Sequence, residues 1–595
     1  MDAILAHLNP IQQAAVTHHG SPLLILAGPG SGKTRVLTHR AAYLLAQGQA
    51  TADSLLLLTF TNKAAQEMKS RIQALLTNPP HPNSHPPFAG TFHSFCARLL
   101  RIEHQAANLS LCFSIYDRED QLSILKLAYE QIQLDPKKYS PRSILATISQ
   151  AKNELISALE YPHYAHGDFQ TAAARLYLTY TRLLKEAQAL DFDDLLLEAV
   201  RLFRRRPEIL TKYQHRYRHL LVDEYQDTNT VQYELTKLLA KPWANLCVVG
   251  DASQAIYGFR GANHQHLQNL QKDFPRLRTL YLEQNYRSTP HILTAANHLI
   301  HHNKNHPILK LWTSKKIGEK IALFEADNEI VEGEFVVAQI LATRIDYRQL
   351  AILYRTNAQS RVIEETLLHA NLPYQLVGGV RFYERKEIKD SLAYLKLINN
   401  SADKISLERA AKIGKKRFTA FSSSFLPSIS LVPPTANLLE KIWETTGYLE
   451  LFNTKDEEDL ARLENLRELK SVAAKFPRLT EFLENVALME EAPRTNPKGV
   501  TLMTAHAAKG TEFHTVFIIG LEEGLFPHSR SLLNKEELEE ERRLMYVGLT
   551  RAQEKLYLSY ARRRLYFGAR QNNPPSRFLT ELPPESVEFV KRSDI

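Results

Sequence analysis

The segment Leu23–Thr34, LLILAGPGSGKT, joins an unbroken apolar run to a glycine-rich loop and a Lys-Thr step. Consecutive apolar residues suit a strand buried on both faces. Gly30 and Gly32 let backbone N–H groups converge on phosphate oxygens without a Cβ in the way. Lys33 brings positive charge to the outer phosphates, and the Thr34 hydroxyl suits Mg²⁺. Residues 35–45 have helical spacing, so the loop opens onto a helix N-terminus whose dipole favours an anion. Ala27 stands where the strict pattern begins with glycine. The expected ligand is a nucleoside triphosphate held by Ala27, Gly28, Pro29, Gly30, Ser31, Gly32, Lys33 and Thr34.

Outward from this loop, short apolar runs recur, each followed by a polar loop. They include Leu55–Phe60, Leu220–Val222, Leu246–Val249, Leu280–Leu282, Leu350–Tyr354, Thr501–Thr504, Thr515–Ile519 and Lys555–Tyr560. Helix-compatible segments lie between them. This is the α/β signature of parallel sheets, with binding loops at the carboxyl ends of strands. Two helix-rich stretches, Leu99–Arg206 and Glu387–Glu491, interrupt the rhythm and read as insertions. Pro79–Pro87, PPHPNSHPP, reads as a surface loop.

The chain has 595 residues, a net charge of +9 and 44% hydrophobic residues. That is enough for several domains, and the basic excess leans weakly toward a polyanionic partner. Cys96, Cys112 and Cys247 are far apart, with no CxxC. They point to a reducing compartment and away from disulfides or zinc. No signal peptide and no membrane span is read, so a cytoplasmic location and no membrane partner are expected.

A nucleotide pocket also needs an acid for Mg²⁺ and a group to orient the attacking water. Leu220-Leu221-Val222-Asp223-Glu224 supplies both after a strand: Asp223 suits the metal and Glu224 the general base.

The string continues as DEYQD, Asp223–Asp227. With GDASQAIYGFRGA at Gly250–Ala262 and QNYRS at Gln284–Ser288, it resembles the UvrD/Rep/PcrA helicases of superfamily 1. LNPIQ (Leu8–Gln12), TFTNKAA (Thr59–Ala65), GTFHSF (Gly90–Phe95), DFDDL (Asp191–Leu195), LYRTNAQSR (Leu353–Arg361), TAHAAKGTEF (Thr504–Phe513) and RRLMYVGLTRA (Arg542–Ala552) follow the family's order.

The resemblance implies two RecA-like motor domains with ATP between them, each carrying a mainly helical insertion. The expected division is residues 1–98 and 207–279 for the first motor domain, with an insertion at 99–206. Residues 280–386 and 498–595 form the second, with a shortened insertion at 387–497 and no long tail after it. In the family that insertion is mobile and regulatory. The resemblance makes Gln12 the adenine reader, Arg35 and Tyr286 the residues flanking the base, and Gln254 the γ-phosphate sensor. Arg287 and Arg551 become arginine fingers, both belonging to the second motor domain by chain order, yet acting on ATP bound to the first. Glu512 becomes a ribose-side contact.

DNA contacts are expected at the opposite strand ends, from Phe60, Asn62, Phe92, His93, Tyr257, Phe259 and Arg260. Aromatics interleaved with cations suit stacking on unpaired bases and phosphate neutralisation. Phe60 and Phe92 are evenly balanced between core and base contact. Phe259 stands where family members often have tryptophan; Ala505, Thr511 and Asn263 are further departures that remove no catalytic group. The implied activity is an ATP- and Mg²⁺-dependent 3′→5′ helicase or translocase. It would act on single-stranded DNA and single-strand/duplex junctions, with repair or replication proteins as partners. A protein-stripping translocase with weak unwinding, a helicase–nuclease motor and a protein remodeller are the rivals.

Overall fold

The computed structural model describes residues 2–76, 86–304, 306–426, 433–454, 456–491, 496–566 and 569–591. Most of the proline-rich stretch expected as a loop at 79–87 lies outside them. Two compact units emerge. The first comprises Met1–Arg287 and Asn303–Ser314, the second Ser288–His302 and Lys315–Ile595.

The first unit's main strands are β1 (Leu23–Ala27), β2 (Leu55–Thr59), β3 (Phe88–Thr91), β6 (His219–Val222), β7 (Leu246–Gly250) and β8 (Arg278–Leu282). A separate pair, β4 (Ser114–Tyr116) and β5 (Ala189–Asp191), lies in the first insertion. The six form one parallel sheet in the order β3-β2-β6-β7-β1-β8. Every residue of β1 and β2 is buried, as their unbroken apolar runs require. The leucines of β2 each contribute about 1.5–3 kcal/mol by full burial. β1 sits between β7 and β8, so the phosphate loop leaves the interior of the sheet.

The first insertion has its own core, running from Leu125 to Ala189. The boundary expected at residue 99 falls inside the helix Phe92–Ile102. The boundary expected at 279/280 falls inside β8, which pairs with β1 from Arg278 to Leu282. The first unit therefore continues to Arg287 and takes back Asn303–Ser314. Chain order misplaced this boundary because long-range pairing claims the strand.

The second unit is built on β9 (Ile321–Asn328), β10 (Leu350–Tyr354), β11 (Tyr374–Leu376), β12 (Val500–Thr504), β13 (Phe513–Ile518), β14 (Ala552–Tyr566), β15 (Ala569–Gln571) and β16 (Val587–Phe589). The order is β11-β12-β10-β13-β14-β9-β16, parallel throughout, with β15 antiparallel on β14. Both sheets match the expected pair of parallel α/β motor folds. Among the described residues no helix is long and apolar enough to cross a membrane.

The second insertion is wired into the rest of its own unit. Helix Glu457–Lys475 brings Glu468 Oε1 within 2.6 Å of Arg361 Nε, a buried donor that also bonds Glu365. Asn465 Oδ1 accepts from Arg385 Nη1 at 2.6 Å, and Glu464 Oε1 lies 3.1 Å from His528 Nε2. Arg361 closes the motif LYRTNAQSR. That motif is therefore not independent of the insertion, as its position in the chain suggests. Removing residues 387–497 strips partners from several buried polar groups at once. A buried charge left without its partner costs about 3–5 kcal/mol. A deletion variant bridged by a Gly/Ser linker is expected to lose the cooperative melting of the second unit, followed by circular dichroism. An undiminished melting temperature would refute the tie.

Candidate nucleotide site

The phosphate loop turns between β1 and the helix Lys33–Ala46. Gly32 caps that helix at φ +88°, and Gly30 sits at φ +66°. At both positions an L side chain is strained. A Cβ on Gly30 would also come within 2.7 Å of Arg287 Cβ and of Asn285 Nδ2. Ser31 Oγ closes the loop onto Gly28 O at 2.7 Å. Lys33 Nζ lies 3.2 Å from Ala27 O, bent back across the loop mouth. Thr34 Oγ1 donates to Asp223 Oδ2 at 3.0 Å, joining the loop to the end of β6.

Asp223 is 2% exposed. Burial, then the neighbouring Glu224 charge, pushes its carboxyl up to about 7, against the pull of Lys33 and Thr34. Burial also raises the Asp251 carboxyl. Two hard oxygens 3.0 Å apart, beside an excess of buried negative charge, fit Mg²⁺. Thr34 and Asp223 would hold it, and bound there it would supply positive charge to the phosphate oxygens.

Glu224 has φ +51° and ψ 41°. Left-handed backbone at a non-glycine residue stores about 1–3 kcal/mol and clusters at functional positions. Its N–H donates to Asp223 Oδ1 at 3.0 Å. Gln226 and Asn285 went unassigned in the sequence, although both sit inside quoted motifs. Gln226 Nε2 donates to Glu224 Oε2 at 2.6 Å, and Asn285 Nδ2 to Pro29 O at 2.6 Å. Gln254 is buried and donates to Asp251 Oδ2 at 2.6 Å.

The loop after β8 lies on the phosphate loop. Tyr286 N donates to Gly30 O at 2.9 Å, and Arg287 N to Asn285 Oδ1 at 2.8 Å. Arg287 thus belongs with the phosphate loop's own unit, not with the second motor domain. Tyr286 is exposed, and its hydroxyl accepts from Asn9 Nδ2 at 2.8 Å. Gln12 is buried; its amide caps its own helix through Asn9 N and donates to Ser31 O at 2.9 Å. Arg35 Nη2 donates to His7 O at 2.9 Å.

In the second unit, Arg551 is buried, with Nε on Val547 O, Nη1 on Thr511 O and Nη2 on Thr550 Oγ1. Glu512 Oε1 accepts from Gln553 Nε2 at 3.3 Å.

The aromatic candidates divide. Phe92 is 1% exposed and packs under Phe60, ring centroids 5.8 Å apart. It has no free face for a base, so the expected base contact at Phe92 is corrected to a core support for half-buried Phe60. His93 meets Phe192 edge-on, and burial holds its imidazole below the usual range. Asn62 is exposed at the start of the helix Asn62–Leu75. Phe259 is 48% exposed beside Tyr257, centroids 6.1 Å apart. The Arg260 side chain lies outside the described residues. Phe60 and Phe92 follow the carboxyl ends of β2 and β3. In an all-parallel sheet every carboxyl end lies on one edge. These residues therefore share the phosphate loop's edge, displaced toward β3, rather than occupying opposite strand ends.

The family model for the UvrD/REP helicase N-terminal domain matches residues 8–275. That for the UvrD-like helicase C-terminal domain matches 280–432 and 432–563. The chain belongs to the UvrD/REP helicase family. Among its UvrD/REP relatives is a Bacillus subtilis (strain 168) protein, 44% identical over 645 aligned positions, covering 98% of this chain and 87% of the relative. A Staphylococcus aureus (strain Mu50 / ATCC 700699) protein is 42% identical, covering 99% of this chain and 88% of its own. Both bear the name ATP-dependent DNA helicase PcrA. The alignments exceed the 595 residues of this chain, so these relatives carry positions with no counterpart here.

Proposed function

We propose that this protein is an ATP- and Mg²⁺-dependent DNA helicase that moves 3′→5′ along single-stranded DNA in repair or replication. The observation that carries the reading is the bond from Thr34 in the phosphate loop to Asp223, with Glu224 next to it, in a UvrD/REP family chain. Lys33 and the loop N–H groups bind the phosphates. Glu224 takes the proton of the attacking water, and Gln254 senses the γ-phosphate. Tyr286 and Arg35 flank the adenine, with Gln12 reading it and Glu512 contacting the ribose. Arg287 and Arg551 stabilise the charge that develops on the transferring phosphoryl group. Tyr257, Phe259, Phe60 and Asn62 contact unpaired bases, with Arg260 and His93 beside them. Polarity rests on the family resemblance.

ATPase titration with single-stranded DNA, duplex DNA and RNA tests the substrate class. Strand displacement on 3′-tailed and 5′-tailed duplexes tests polarity; preferential unwinding from a 5′ tail would overturn it. The missing alignment positions favour one further reading, a translocase that displaces bound proteins and unwinds weakly. Strong ATPase with weak strand displacement would support that reading.

Arg287→Ala is expected to cut turnover about tenfold to a hundredfold, the worth of one charge-assisted hydrogen bond of about 1.5–3 kcal/mol. Because Arg287 sits on the loop's own unit, this loss reports on the site itself and not on domain closure. Steady-state ATPase at saturating single-stranded DNA measures it. An unchanged rate would remove Arg287 from the machinery.

A further inference from the structure

Gln226 is completely buried and bridges two strand ends of the first sheet. Its Nε2 donates to Glu224 Oε2 at 2.6 Å, after β6. Its Oε1 accepts the Asp251 backbone N–H at 2.9 Å, after β7. Only this amide orientation satisfies both partners, because a carboxylate accepts and a backbone N–H donates. Asp251 in turn takes Gln254 Nε2 on its Oδ2 at 2.6 Å. A continuous chain thus runs Glu224–Gln226–Asp251–Gln254, from the proposed base to the proposed γ-phosphate sensor. Gly250 leaves room for the amide: a Cβ there would stand 3.0 Å from Gln226 Oε1.

We propose that Gln226 is a positioning residue that aims the Glu224 carboxylate at the attacking water and ties it to the Gln254 loop; this rests on the helicase reading above. A glutamate side chain has several rotatable bonds and many staggered states. Base catalysis needs one of them, within hydrogen-bond reach of the water's proton. Backbone geometry at Glu224, at φ +51°, aims the Cβ but leaves the outer torsions open. The amide of Gln226 closes them. A neutral donor suits the task, since a cation there would pair the charge that proton abstraction uses. The shared link through Asp251 makes the base and the sensor move together, so loss of γ-phosphate contact at Gln254 and release of Glu224 become one event.

Two variants test this in the full-length protein. Gln226→Met keeps the volume and removes both hydrogen bonds. Gln226→Glu keeps an acceptor for the Asp251 N–H and replaces the donor to Glu224 with a carboxylate that repels it, so it remains informative if the methionine variant does not fold. With saturating single-stranded DNA, kcat is expected to fall about 10–100-fold, the usual cost of losing a supporting partner. KM for ATP and affinity for a fluorescent ADP analogue should stay within about twofold, because the ground-state phosphate contacts are untouched. In a Glu224→Gln background, single-turnover hydrolysis should show no further loss from either substitution, since Gln226 acts through the carboxylate already removed. Turnover within about twofold of wild type, a loss carried by KM alone, or a full additional loss in the Glu224→Gln background would each overturn the proposal. Wild-type protein lacking DNA-stimulated hydrolysis would instead overturn the helicase reading, and this proposal with it.

Discussion

Lys33→Ala is expected to abolish ATP hydrolysis and strand separation while leaving nucleotide-free binding of single-stranded DNA intact. Lys33 opens the helix that follows the loop, and its ammonium lies 3.2 Å from Ala27 O across the loop mouth. The backbone N–H groups of the loop remain after substitution, so some nucleotide affinity remains too. The charge that builds on the β- and γ-phosphate oxygens loses its fixed counter-charge. A single preorganised donor at such a position is worth about 10²–10³ in rate, and a full charge in a partly buried site more. A coupled ATPase assay with oligodeoxythymidine reads the loss, and fluorescence anisotropy with the same oligonucleotide reads DNA binding. Turnover near the wild-type rate would mean that the loop does not hold the hydrolysed phosphates. Loss of nucleotide-free DNA binding would mean that Lys33 supports the fold of the DNA face as well.

Glu224→Gln separates binding from chemistry. The amide keeps the shape and one oxygen but cannot take a proton. General-base catalysis contributes about 10²–10⁴-fold, so turnover should fall by that order while ATP still binds. Asp223, joined to Thr34 at 3.0 Å, is untouched, so Mg²⁺ affinity should hold. Rapid-quench single-turnover hydrolysis measures the chemical step, and a fluorescent nucleotide measures binding. An unimpaired Glu224→Gln enzyme would move the water-orienting role elsewhere, with Gln254 the first candidate. Loss of nucleotide binding would show instead that the pair Asp223–Glu224 acts through the metal.

Much of the nucleotide site was legible along the chain because its signals are local. An apolar run of four or five residues forms a strand buried on both faces, and β1 and β2 are such strands. Glycines at 30 and 32, expected where a Cβ would be in the way, adopt left-handed backbone that strains an L side chain. The acidic pair after Val222 lands at the end of β6. The ordered motifs named the family before any coordinate did.

What only the tertiary structure decided depends on contacts between residues far apart in the chain. Arg287 looked like part of the second motor domain, yet β8 pairs with β1 and carries the following loop onto Gly30. Phe60 and Phe92 are indistinguishable as aromatics beside a motif; packing buries Phe92 and leaves Phe60 only partly buried. Every motif quoted from the sequence lies outside the insertion, but Arg361 finds a carboxylate on Glu468, 107 positions along the chain. Gln226, quoted within DEYQD, carries no role by itself; two neighbouring strand ends bring Glu224 and Asp251 to its two amide atoms. Hydrophobic period and glycine spacing are written within a few residues of where they act. Which strand ends stand side by side, and which polar atoms then meet out of water, is set by sheet order, and no local stretch of this sequence encodes that order.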